Sequence, residues 1–185
     1  DWFIAHQEKD GRWTGRRFDD ACGKCGSPAE FDSDAAMTGI TLLCFLGAGH
    51  THMSDGPYKE QVAKAINWLV ARQSPNGDLR RGETMYSQTV ATVALCEALA
   101  MTRDQRLAGP TRRAVAFLDA NALRRDSDRR DAKSVSDDTL VLGWQVMAVA
   151  SAKRAGINVS GTMFDAAKQW LDYVDDPRRT GRYSY

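Results

Sequence analysis

The sequence predicts an all-α domain assembled from repeated helical hairpins, and three observations carry that prediction. A phrase written "DWFIAHQEKDGRW" at Asp1–Trp13 returns as "INWLVARQSPNGDL" at Ile66–Leu79. Aligned on Trp2 and Trp68, Gln7 matches Gln73 and Gly11 matches Gly77, and a bulky residue, Trp13 or Leu79, follows each glycine. Three segments rich in Ala, Gly and Thr (Ser33–His50, Met85–Thr102 and Asp137–Arg154) also repeat, with Gly39, Ala91 and Gly143 spaced by 52 residues each time. The same offset carries Cys44 onto Cys96 and Ala148. Finally, the segments between them have the period of an amphipathic helix. A fixed period of roughly 50 residues marks a repeat architecture in which each unit is one supersecondary element.

Each unit reads as two helices. The first kind is amphipathic: in "YKEQVAKAINWLVARQ", Val62, Ile66, Leu69 and Val70 fall on one face. The second kind is apolar almost all round, so protein must surround it, and its small residues let neighbouring helices approach closely. Pro57 and Pro110 are expected just before outer helices. Gly47, Gly49 and Gly156 mark the ends of inner helices. A last outer helix, "GTMFDAAKQWLDYVDD", opens with Ser160 or Thr162 as its cap and places Trp170 102 residues after Trp68. The units fall at about 1–52, 57–104 and 110–156, with an incomplete one at 161–185, all in a single domain over 1–185.

Composition sets limits on function. The 185 residues are 43% hydrophobic and 26% charged, with a net charge of +1, so no electrostatic argument favours nucleic acid or an anionic membrane. The arginine-rich "RRDSDRRD", Arg124–Asp131, interleaves both signs and reads as a solvated connector. No apolar run approaches the roughly 20 residues of a membrane span. The chain opens on Asp1 inside a patterned segment with no signal peptide, as a trimmed piece of a longer chain would, and it gives no address in the cell. Four cysteines are too few for a disulfide scaffold.

On the "W-L-x3-Q-x3-G-x" phrase and the 52-residue period, the sequence resembles the prenyltransferase and squalene-oxidase repeat family. "LLCFLGAGHTH" and "GWQVMAVASAKRAG" further resemble bacterial squalene-cyclase-like proteins of no assigned activity. The resemblance implies an α/α toroid of concentric inner and outer helices, here a partial ring of about three and a half hairpins, with the repeated phrase as its QW motif. In that motif the Gln ties off backbone groups at helix ends while the Trp fills the seam between outer helices. The second copy has Leu79 in place of the usual Trp, and the third, "AFLDANALRRDSD", has lost the Gln.

The enzymes of this resemblance suggest two chemistries. Class II terpene cyclases protonate an alkene with a D-x-D-D-T motif; here "VSDDT" would make Asp137 the proton donor and Asp138 its neighbour, with Val135 replacing the first Asp. That loss weakens the acidity argument, and Ser-Asp-Asp is also an ordinary helix start, with Ser136 as cap and acids in the first turn. Asp34 occupies the place of Asp138 in the first unit and has the same explanation. Protein prenyltransferases hold zinc with Asp, Cys and His on the inner ring. This chain has only His6, His50 and His52, and Cys44 and Cys96 read as small buried packing residues.

The remaining pair is Cys22 and Cys25, the "CGKC" of a loop peculiar to the first unit: Trp2 to Asp34 is 32 residues, against 18 from Trp68 to Tyr86. The spacing suits half a zinc site, a redox disulfide or plain thiols. Asp20 or His52 would have to complete a metal set, and His50 and His52 are expected at the far end of an inner helix. No cofactor is expected beyond zinc at Cys22 and Cys25.

The best reading of the chain is a toroid fragment that binds an apolar, isoprenoid-like ligand or a protein, with Met37, Tyr86, Trp144 and Met147 lining an apolar pocket. The alternative is an isoprenoid-active enzyme, cyclising or transferring a prenyl chain, that needs further repeats. A third reading is pairing of two copies through the open edges of the ring.

Overall fold

The computed structural model describes residues 2–23, 25–26, 32–121 and 139–174. Among these residues the fold is all-helical, with seven helices and no strands: α1 Trp2–Ala5, α2 Asp34–Gly47, α3 Lys59–Arg72, α4 Met85–Thr102, α5 Gln105–Ala120, α6 Thr139–Arg154 and α7 Thr162–Val174. No described helix is long and apolar enough to cross a membrane.

Two layers follow from the two helix types. The apolar helices α2, α4 and α6 form one row with α4 in the middle; α3 backs α2, α5 backs α4 and α7 backs α6. The middle position explains why α4 is buried from Ser87 to Cys96 without interruption. Its buried threonines need no outside partner, because Thr89 and Thr92 donate back to the Met85 and Gln88 carbonyls, both at 2.7 Å. The outer helices bury one face only, Val62, Ala65, Ile66 and Leu69 in α3 and Leu107, Thr111, Ala114 and Leu118 in α5. The main core lies between the layers, around Leu42, Ile66, Leu69, Leu79 and Leu95. A smaller cluster of Val93, Leu118, Val149 and Met163 joins α4, α5, α6 and α7.

The repeated phrase stitches one unit to the next outer helix, and does so the same way twice. The Gln7 amide donates to the Gln61 carbonyl of α3 at 2.9 Å, and the Gln73 amide to the Pro110 carbonyl of α5 at 2.9 Å. The glycine of each copy has positive φ and lies against the same helix: a Cβ on Gly11 would sit 2.5 Å from the Lys64 carbonyl oxygen, and one on Gly77 would sit 2.0 Å from that of Arg113. Gln61 to Lys64 and Pro110 to Arg113 are both three-residue steps, so the two contacts keep one register.

Four sequence expectations are corrected. Pro110 lies inside α5, not before it, because the Asp104 carboxylate accepts from Arg106 N at 3.0 Å and starts the helix at Gln105. Ser160 and Thr162 do not cap α7 with their hydroxyls; both donate to Asp119 of α5, at 2.5 and 2.9 Å. Positive φ occurs at Gly49 and Gly156 but not at Gly47, which is the last residue of α2, and α4 ends instead on Arg103 with φ +56°. Cys44 is exposed whereas Cys96 is buried, because α2 is at the end of the row and α4 is in its middle.

Candidate metal centre

The long loop of the first unit returns to the start of the chain. His6 follows α1 directly and is buried, 3% exposed, in a cluster of aromatic rings: Trp2 stacks on it at 3.8 Å between centroids, and Phe18 lies beside the pair, 5.8 Å from His6 and 6.0 Å from Trp2. Its Nδ1 lies 2.6 Å from the Trp2 carbonyl oxygen. A carbonyl only accepts, so Nδ1 carries the proton and the lone pair is on Nε2. Nε2 faces the loop and lies 2.9 Å from Cys25 Sγ. Cys22, half-buried, completes a cluster in which one ligand atom each of His6, Cys22 and Cys25 lies within 4.8 Å of the others. These three side chains could hold a metal ion.

The surroundings bear on which chemistry the cluster suits. The Cys25 thiol is raised above its ordinary range, first by its hydrogen bond with Cys22, then by desolvation and by the charge of Cys22. That is the opposite of a nucleophilic cysteine, which needs a depressed pKa. Cys22 lies in a turn and Cys25 in irregular structure, so neither is at a helix start, the terminus that lowers a thiol pKa in many redox pairs. Among the described residues of the loop, Arg17 pairs with Asp20 and Arg16 with Asp32.

Asp20 and His52, named above as completing residues, therefore play other parts. His52 Nε2 lies 2.9 Å from Asp104 Oδ2 on the α5 side of the molecule. Arg106 and then His52 hold the Asp104 carboxyl well below the usual carboxylate range. The third member of the cluster, His6, carries no metal-ligand spacing to the two cysteines in the sequence. Its signal is the repeat itself: His6 stands where the second copy has Arg72, four residues after the motif Trp, and a metal-binding side chain there breaks the pattern.

Tyr86 and Trp144 meet edge to face at 6.0 Å, Met37 packs against the main core, and Met147 is 49% exposed on α6. Burial raises the Tyr86 hydroxyl pKa. A cleft between α5, α6 and α7, lined by Val115, Leu118, Val149 and Met163, has about 10 Å³ of space, room for roughly one water molecule. Asp137 and Asp138, with Val135 and Ser136, lie outside the described residues, as does the arginine-rich connector. Asp34 is in the first turn of α2, whose cap is Ser33. Cys96 is inert, its thiol pushed up to about 12 by burial.

Compared with known proteins, the chain matches no family model, no curated protein and no solved structure.

Proposed function

We propose that the chain belongs to an α/α-toroid type of hairpin-repeat scaffold, of the squalene-cyclase- and prenyltransferase-like kind, and that it works by binding a helical protein surface along the open edge of α6. The observation that carries this reading is a mismatch in burial between equivalent positions. Gly39 of α2 packs on Val90 and Ala91 of α4, whereas around Gly143, 104 residues later, a Cβ would meet nothing within 4 Å among the described residues. Met147 and Ala150 are exposed, while their equivalents on α4, Leu95 and Ala98, are fully buried. Residues patterned for a helix neighbour thus face outward on α6.

The occupant that fits is another inner helix of the same pattern. A second copy offers one: the opposite edge of the row, Met37, Ile40 and Cys44 of α2, is half-buried to exposed and equally apolar. An α6-to-α2 contact between copies is heterologous and extends the row. Light scattering across a concentration series tests it. Association that weakens in Met147→Glu, and not in a variant of the exposed outer residue Arg112, supports the reading. A chain that is monomeric at every concentration rejects the second copy as occupant.

A further inference from the structure

We propose that His6 Nε2, Cys22 Sγ and Cys25 Sγ bind one zinc ion, with water in the fourth position. A tetrahedral zinc with Zn–S of about 2.3 Å and Zn–N of about 2.1 Å holds its donors roughly 3.5–3.8 Å apart. The donors here lie within 4.8 Å of one another, and His6 and Cys25 are at 2.9 Å, so small side-chain rotations bring all three to bonding distance.

The imidazole is prepared for this role before any ion arrives. Metal-bound histidines usually donate their other ring N–H to a carbonyl or carboxylate, which fixes the tautomer and the plane of the ring. The Trp2 carbonyl does that here, and stacking on the Trp2 ring, with Phe18 beside it, holds the ring plane. The donor set is also balanced in charge, since two thiolates and a neutral imidazole neutralise a dication. Binding releases two thiol protons, so affinity rises with pH. Sulfur with imidazole selects zinc over calcium or magnesium, which take oxygen ligands. Cys25 is exposed, which leaves the fourth position to solvent.

The site would also do something for the fold. Helix α1 has four residues and buries none of them, too short to be stable alone. A zinc ion linking His6 to Cys22 and Cys25 fastens this helix, and the Gln7 stitch next to it, to the long loop. The ion thus orders the unit that has the longest connection.

Titration of the reduced chain with cobalt(II) tests the assignment. One equivalent should produce thiolate-to-cobalt charge-transfer bands with tetrahedral d–d bands, and zinc should displace it. Cys25→Ser, at an exposed position, should lose about half of the charge-transfer intensity and at least about 10-fold in affinity. His6→Gln should lower affinity by a similar factor and change the d–d bands. Absence of tetrahedral bands overturns the proposal. So does a His6→Gln spectrum identical to that of the parent, or a Cys22–Cys25 disulfide that re-forms on removing reductant in the presence of zinc.

Discussion

The first and second copies of the Gln-bearing phrase place different chemistry at the same point. Four residues after the motif Trp, Arg72 lies over the Trp68 ring at 4.5 Å and pairs with Glu83 at 2.7 Å, in a pair whose side chains are 13% and 16% exposed. Glu83 then accepts from Ser33 Oγ at 2.7 Å and from Ala35 N at 3.2 Å, so one carboxylate joins the second loop to the start of α2. In the first copy, His6 stacks on Trp2 in the same way but turns its free nitrogen to Cys25. Both devices hold the loop that follows the phrase. The short loop uses an ion pair within reach of the preceding inner helix, α2; the long one has a thiol cluster suited to a metal. The repeat therefore preserves a mechanical task, fastening the loop, while its chemistry changes with loop length.

The glycines of the two copies test whether the stitches are equivalent. Gly77→Ala places a methyl 2.0 Å from the Arg113 carbonyl oxygen at a positive φ, and should cost about 4 kcal/mol or prevent folding. Gly11→Ala, at 2.5 Å from Lys64, should be slightly milder in the same denaturant unfolding series. Breaking the fastening of the second loop comes next: Glu83→Ala leaves the Arg72 guanidinium and the Ala35 N–H short of a partner and should cost about 3 kcal/mol. Gln7→Ala and Gln73→Ala each remove one side chain bridging to the next outer helix and should each cost about 1 kcal/mol; a large difference between them would break the equivalence.

An effect of similar size lies outside both loops. The Asp104 carboxyl is depressed in the folded protein, so its contribution is present in full above the unfolded value of about 4 and is lost as pH falls through the lower native value. Asp104→Ala should cost about 1 kcal/mol at pH 7, partly as a lost helix cap, with the difference from the parent shrinking below about pH 4.

The sequence reveals the all-helical pattern, the two helix types and the Gln and Gly stitches, because these depend on periodicity and on residues whose role is local. It conceals features that depend on side chains meeting across the fold. Thr38 and Gln88 are examples: each reaches from an inner helix to the loop residue two after the motif glycine, Thr38 Oγ1 accepting from Trp13 N at 3.0 Å and Gln88 Oε1 from Leu79 N at 2.6 Å. Neither interrupts an apolar period in a way that marks it. His6 is hidden for a related reason, since its partners are 16 and 19 residues away and only the return of the loop brings them together. Pro110 shows local preference losing to a better cap: Asp104 starts α5 early, and the buried face around Leu107 and Thr111 keeps the helix going through the proline.

Hydrogen-exchange mass spectrometry of the reduced chain, with one equivalent of zinc and then with chelator, tests the contrast between the two loops most directly. Zinc should slow exchange in peptides covering Trp2–Gly26 and leave those covering Trp68–Gln88 unchanged, because the second loop is fastened without metal. Equal protection in both, or none in the first, would contradict the account.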